Sequence, residues 1–279
     1  MNELKAQYKL PQLLKAIGLA RSVYYYQRVA FAKPDKYSTL KNKIKSIFHE
    51  HKGRYGYRRI TQALRNEGEI INHKTVQQLM DKLELKSTVR PKRYKSYRGD
   101  VGHTAPNIIQ RDFTANKPNQ KWVTDVTEFN VGGQKVYLSP IIDLFNREVI
   151  SYEIKKTAHL PLVINMFDKA VKRLTTGEQP IIHSDQGWQY QHRTIQKRIR
   201  EMGLIQSMSR KGNCLDNAVA ENFFGILKTE MYHQHKFIDA DDLIQQIDEY
   251  IDYYNHKRIK LKLKGLSPVE YRNQTLVAA

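Results

Sequence analysis

The 279-residue sequence has one cysteine, Cys214. No disulfide can close within the chain, and no zinc site built on several thiolates is available to it. No apolar run approaches the roughly 18 residues of a membrane-spanning helix. The opening stretch MNELKAQYKLPQLLKAIGLA lacks the apolar centre and small-residue cleavage site of a secretory signal. There is no P-loop, no Gly-rich dinucleotide fingerprint and no Ser–His–Asp order. Internal repeats and long heptad runs are missing too. These absences point to an intracellular protein with no membrane partner, expected in the cytoplasm.

Acid is scarce in the first part of the chain. Residues 1–118 hold 25 Lys/Arg against 9 Asp/Glu, whereas residues 119–279 hold 22 against 19. Most of the net charge of +19 therefore lies in the first 118 residues, as expected of a part that sits on a polyanion ahead of a part with other work.

Residues 37–87 read as helices. YSTLKNKIKSIFHEHKG sets Leu40, Ile44, Ile47 and Phe48 on one stripe. YGYRRITQALRNEG carries Ile60 and Leu64. NHKTVQQLMDKLELK has Asn72 as N-cap and Val76, Leu79, Met80 and Leu83 as its apolar face. Two short helices around a tight Gly-containing turn fit a helix-turn-helix, with His73, Lys74, Gln77 and Gln78 on the groove-facing end of its second helix. A small helical bundle with a solvated polar face fits the same pattern. Arg54, Arg58 and Arg59 tilt the choice to DNA binding. A helical piece at 10–27 precedes it, and the tyrosines of RSVYYYQR fit either base stacking or core packing. Residues 88–119 are basic, rich in Pro and Gly and without period. They read as a linker whose cations, Arg93 and Lys95 among them, track phosphates.

From residue 120 the pattern changes. KWVTDVTEF, QKVYLSPII and EVISYEI form a three-stranded meander, with Asp143 between the last two as a turn residue. The amphipathic helix HLPLVINMFDKAVKRLTTG, the short strand QPIIHSD, a helix at about 191–202, the strand LIQSMS and helices from about 217 and at 239–255 follow. The fold class is α/β: a mixed five-stranded sheet with flanking helices, preceded by an all-α helix-turn-helix region. The expected parts are an N-terminal helical segment (1–36), a helix-turn-helix domain (37–90), a basic linker (91–118) and an α/β core (119–275).

Asp125 lies within the first strand and Asp185 at the C-terminal end of the fourth, where Gly187 permits a sharp turn. Glu128, three residues beyond Asp125, faces the other side of a regular strand. In SRKGNCLDNAVAENFFGILKTE, Asp216 or Asn217 suits an N-cap. Glu221 then shares a helix face with Lys228 and with Gly225, which leaves room beside them, while Glu230 is solvated. His183 suits packing or hydrogen bonding better than metal ligation. Asp125 and Asp185 each also fit a purely structural part. Three carboxylates on rigid elements suit hard cations, and two Mg²⁺ or Mn²⁺ ions suit in-line displacement at phosphorus.

Thirty-five residues separate Asp185 from Glu221, and Lys228 stands seven beyond. With WVTDVTEF and HSDQGWQY, this resembles the D, D, 35-residue, E signature of DDE transposases and retroviral-type integrases. SRKGNCLDNAVAENFFGILKTE, HKGRYGYRRI and YNHKRIKLKLKGLSPVEYR resemble segments of the OrfB product of bacterial insertion sequences of the third family. The resemblance runs from about residue 40 to 273. It implies an RNase H-like core with Asp125, Asp185 and Glu221 as the catalytic, metal-binding triad and Lys228 on DNA near the transferred end. It also implies two Mg²⁺ or Mn²⁺ ions per site, double-stranded DNA partners (terminal inverted repeats and target) and a nucleoid-associated bacterial protein. In that family a strand is nicked at the element's end, and the freed 3′-hydroxyl attacks another phosphodiester, commonly beside the opposite end. Joining two ends favours at least a homodimer, and an OrfA protein, separate or fused by frameshifting, is a further expected partner. The single cysteine cannot build the His₂Cys₂ zinc module of the retroviral relatives. The alternative functions are a DNA-binding regulator with an inactive integrase-like core and a nuclease of the same fold.

Overall fold

The computed structural model describes residues 7–32, 35–88, 104–210 and 214–277. Five helices come first: α1 (Leu10–Ala16), α2 (Arg21–Ala32), α3 (Ser38–Glu50), α4 (Tyr57–Asn66) and α5 (His73–Lys82). The remainder runs β1 (Lys121–Thr124), β2 (Thr127–Val131), β3 (Gln134–Asp143), β4 (Val149–Lys155), α6 (Leu160–Val171), β5 (Ile181–Ser184), α7 (Trp188–Gln191), α8 (Arg193–Glu201), β6 (Ile205–Met208), α9 (Ala218–Glu230), α10 (Ala240–His256) and α11 (Pro268–Val277). None of the described helices is long and apolar enough to cross a membrane.

The first three-helix unit closes as its apolar stripes demand. Ile44, Ile60, Leu64 and Val76 are wholly buried in one cluster with Tyr55. Asn72 caps α5, its side chain accepting from the backbone N–H of Lys74 at 2.9 Å.

The sheet has six strands in the order β2-β3-β1-β5-β6, with β4 on the free side of β3. The five strands expected become six because KWVTDVTEF is interrupted. Thr124 pairs with Ile141 and Thr127 with Leu138, so β1 and β2 keep one register along β3 and leave Asp125 and Val126 opposite Pro140 and Ser139. The N–H of Leu144 points to β1 and that of Asp143 to β4. By alternation, residue 140 aims its nitrogen at Asp125, and a proline there has no N–H to donate. The ladder therefore opens at the acid.

Trp122 and Val123 alternate between two cores. Trp122 joins Ile141, Val163, Phe167, Ile195 and Ile199 under α6 and α8. Val123 joins Phe129, Leu138, Phe223, Leu227, Leu243 and Ile247 under α9 and α10. Helices thus cover both faces. Asp239 caps α10, accepting from the N–H groups of Asp241 and Asp242. Asp143 ends β3 and accepts from the N–H groups of Asn119 and Phe145 at 2.9 Å, a turn-holding role.

Residues 104–118 differ from a loose linker. Ile109 is buried in the core beneath α9, and Arg111 pairs with Asp216 at 2.8 Å, so this stretch is strapped across the sheet's end. Arg93 and Lys95 lie outside the described residues.

Candidate active site

The parallel pairing of β1 with β5 sets Val123 beside His183. Two residues further, the same register brings Asp125 level with Asp185, each just beyond the C-terminal end of its strand. Both are half-buried. Burial, then the charge of Asp185, then that of Glu221 push the Asp125 carboxyl well above the usual range, against the pull of Lys228. Burial likewise raises Asp185.

Each acid is held by a backbone N–H. Asp125 Oδ1 accepts from Val126 at 2.7 Å, and Asp185 Oδ1 accepts from Gly187 at 2.9 Å. Gly187 has ordinary backbone angles, so no sharp left-handed turn is involved. A side chain is excluded for another reason: a Cβ at this position would stand 2.9 Å from Asp185 Oδ1.

Glu221 is exposed in the first turn of α9, and Lys228 is half-buried on the same helix. Lys228 Nζ donates to the Glu128 carbonyl at 3.1 Å and lies 5.1 Å from the Phe129 ring centre. Burial lowers its pKa despite the opposing charges of Glu128 and Asp125. The Glu128 carboxylate is exposed and paired with Lys135, away from the acids. Gly225 is buried on α9.

The start of α9 is fixed to the acids by contacts absent from the sequence reading. Asn217 occupies the N-cap position of α9, but its side chain makes no capping hydrogen bond. Asn217 Nδ2 donates to the Thr124 carbonyl at 3.3 Å, tying α9 to the residue before Asp125. The Asp216 side chain is buried, where it accepts from Arg111, from the Nε and backbone N–H of Arg210 and from Asn107. Its backbone carbonyl accepts from His183 Nε2 at 2.8 Å, while His183 Nδ1 meets Ser207 Oγ at 2.8 Å. His183 is thus a hydrogen-bonding strut between β5, β6 and α9. Nothing local in the sequence marks these partners, because they converge from four separate segments.

The donor set is oxygen only, which suits a hard cation. The charge of Asp185 raises the Asp125 carboxyl, so a cation between the two would relieve their repulsion. Among the described residues, no three Asp, Glu, His or Cys side chains converge into a ready-made cage. The two aspartates are brought together by the strand register, and Glu221 is exposed on its helix with its charge felt at Asp125.

In the helical region His73, Lys74, Gln77 and Gln78 are exposed on α5, and Arg58 is exposed on α4. Arg54 and Arg59 turn the other way. Arg54 is buried, donating to the Glu230 carbonyl at 3.1 Å and stacked over Tyr253 at 4.5 Å. Arg59 lies 3.5 Å from the Glu230 carboxylate. Glu230 itself is buried, not solvated, in an ion pair with Arg258 at 2.6 Å. These two arginines dock the helical unit on the core, which removes them from a DNA-reading surface.

A helical unit with an exposed polar face, clamped to a mixed α/β core with paired acids at its strand ends, defines a nucleic-acid-processing enzyme of the integrase-core class. Comparison with known families agrees. Residues 115–214 and 221–276 match two integrase core domain families, and residues 36–93 match an HTH-like domain. The chain is 57% identical over 275 residues to the transposase InsK of insertion sequence element IS150 from Escherichia coli K12, covering 99% of this chain and 97% of that one. Transposase InsF for insertion sequence IS3A of the same organism is 30% identical over 278 residues, with 98% and 96% covered. The catalytic core domain of HTLV-2 integrase in complex with magnesium covers 57% of this chain and 99% of its own, at 20% identity and a TM-score of 0.46. The chain belongs to the IS3-family DNA transposases, and its core is that of a polynucleotidyl transferase.

Proposed function

We propose that Asp125, Asp185 and Glu221 bind two Mg²⁺ or Mn²⁺ ions and that the chain cuts and rejoins DNA at insertion-sequence ends in their presence. The observation that carries this reading is the strand register, which sets Asp125 beside Asp185 under mutual repulsion. Bound to these oxygens, the cations would lower the pKa of a water or a 3′-hydroxyl and neutralise the departing oxygen. The carboxylates' own part is to fix those charges on rigid strand ends. Glu221 completes the donor set from α9, and Lys228, two turns along the same helix face, contacts a phosphate near the transferred end.

Two displacements at phosphorus follow. In the first, a water oxygen bonds to the phosphorus at the element's terminus, the bond to the 3′-oxygen breaks, and that oxygen leaves as a hydroxyl. In the second, this hydroxyl loses its proton, bonds to the phosphorus of another phosphodiester and releases a new 3′-hydroxyl. Bond count is conserved, so no external energy source is required.

The terminal inverted repeats and target DNA are the proposed partners, read through His73, Lys74, Gln77 and Gln78 of α5 with Arg58 beside them. Joining two ends calls for at least two copies on DNA. An OrfA-type protein, separate or fused, is proposed to act with them. Arg93 and Lys95 are proposed to follow phosphates between the two parts.

The deciding experiment incubates the chain with duplexes carrying a terminal inverted repeat and Mg²⁺ or Mn²⁺, with and without the OrfA partner. The expected products are a nicked end and a joined strand. Cleavage without joining would instead make the protein a nuclease, and binding without cleavage under every condition would leave only a regulator.

A further inference from the structure

We propose that α1 and α2 form a second helix-turn-helix that docks on the same double-stranded DNA as α5, at a separate place. This rests on the transposase function above and adds a binding surface to it. The HTH-like family match begins at residue 36 and does not include these helices.

The turn between the two helices has the length and the glycine of a bihelical DNA reader. Helix α1 ends at Ala16 and α2 begins at Arg21, a four-residue turn over 17–20. Such turns are about three to four residues long and often hold a glycine. Gly18 sits there at φ +66°, a left-handed conformation that side chains resist. The N–H of Leu19 reaches back to the Leu14 carbonyl at 3.0 Å, closing the end of α1. Among the described side chains of the pair, Leu14 of α1 and Tyr24 of α2 are buried. By comparison α4 and α5 are separated by the six residues 67–72.

The face left in water is the second observation. Ser22, Tyr25, Tyr26 and Val29 recur at i, i+3, i+4 and i+7 along α2, and Tyr26 is 72% exposed. Arg21 opens the helix, with its guanidinium 5.7 Å from the Tyr25 ring centre. Apolar stripes of this kind usually mark a contact surface. Charge decides the partner: residues 7–32 contain Lys9, Lys15, Arg21 and Arg28 and no Asp or Glu at all. An acid-free cationic surface complements a phosphate backbone. Phenol rings beside an arginine add groups that stack and hydrogen-bond at base edges. In a helix-turn-helix the N-terminal part of the second helix enters the groove, and that part is Arg21 to Tyr26 here.

The test is a hydroxyl-radical footprint of the full chain on a duplex carrying one terminal repeat, with wild type, Arg21→Gln, Tyr26→Ser and Lys74→Gln. Wild type is expected to protect two separate segments. Arg21→Gln and Tyr26→Ser should each lose one segment, keep the other and weaken binding about tenfold. Arg21→Gln should also reduce the slope of log affinity against log salt by about one. Lys74→Gln should disturb only the second segment. Footprints unchanged by Arg21→Gln and Tyr26→Ser overturn the proposal. So does loss of self-association in those variants with the footprint intact, which gives the face to a second copy of the chain. A wild type that protects no terminal DNA removes the underlying function and this surface with it, a result distinct from one protected segment, which removes this surface alone.

Discussion

Glu230 at the end of α9 and Arg258 beyond α10 are locked together out of water. Arg258 donates to the two carboxylate oxygens at 2.6 and 2.8 Å, and Tyr250 donates to the same group at 2.9 Å. The carboxylate also faces Arg59, while Arg54 holds the backbone carbonyl of the same residue. The helix that carries Glu221 and Lys228 thus ends inside the junction with the helical unit. Glu230→Gln leaves a buried guanidinium uncompensated and should cost about 3–5 kcal/mol of stability. Urea unfolding checks this, and a loss under about 1 kcal/mol would mean that the pair is solvated after all.

The same pair sets a pH dependence. Burial alone would raise the Glu230 pKa, but hydrogen bonds and charge from Arg258, the charge of Arg59 and the Tyr250 hydroxyl outweigh it and hold it below the ordinary glutamate value. A depressed carboxylate contributes stability that is full above the unfolded pKa of about 4.3 and fades as pH falls through the folded value. The gap in unfolding free energy between wild type and Glu230→Gln should be full at neutral pH and shrink below about pH 4. A gap that widens on acidification contradicts the assignment.

Asp216→Asn looks conservative if Asp216 is a helix cap, since asparagine caps as well as aspartate. The buried carboxylate between Arg111 and Arg210 argues otherwise. An amide offers one acceptor oxygen and no charge, so stability should drop by about 1.5–3 kcal/mol. The start of α9 should loosen as well, lowering nicking more than end binding. Melting curves and an end-binding assay on the same variant separate the two effects.

Asp125→Asn should abolish nicking and joining while raising the melting temperature in metal-free buffer, because it removes a carboxylate repelled by Asp185. Wild type should be stabilised by Mg²⁺ or Mn²⁺, by about 2.7 kcal/mol when the ion is at a hundred times its dissociation constant. Asp125→Asn should lose that response. A cation-induced shift identical in both proteins would place the ions elsewhere.

Arg54 and Lys74 separate docking from DNA reading. Arg54→Ala should lower stability and leave the salt dependence of end binding unchanged, because its guanidinium is buried against Tyr253 and Glu230. Lys74→Ala on the exposed end of α5 should leave stability alone and reduce the salt slope by about one. The opposite pattern would return Arg54 to the DNA surface.

Much of this molecule was legible in one dimension. Helical periodicity found α3, α4 and α5, and Asn72 marked a true cap, because these features depend on residues within one or two turns. Alternation and apolar runs found the strands, and the 35-residue spacing singled out Asp185 and Glu221. The interruption at Asp125 was not legible, since its cause, Pro140, sits on a neighbouring strand. Arg54, Arg59 and Glu230 were misread for a similar reason: a charged residue is presumed solvated until a partner appears, and their partners lie roughly 170 to 200 residues away or on another helix.

By itself, then, the sequence determined the element types, the helical unit ahead of a mixed sheet and the identity of the candidate acids. The first two follow from local periodicity and capping chemistry, and the third from the resemblance to the D, D, 35-residue, E signature. Only the tertiary structure decided which acids face one another, which arginines are spent on the junction and what anchors the start of α9. Those outcomes depend on strand register and on burial, and both are set by pairing between segments far apart in the chain.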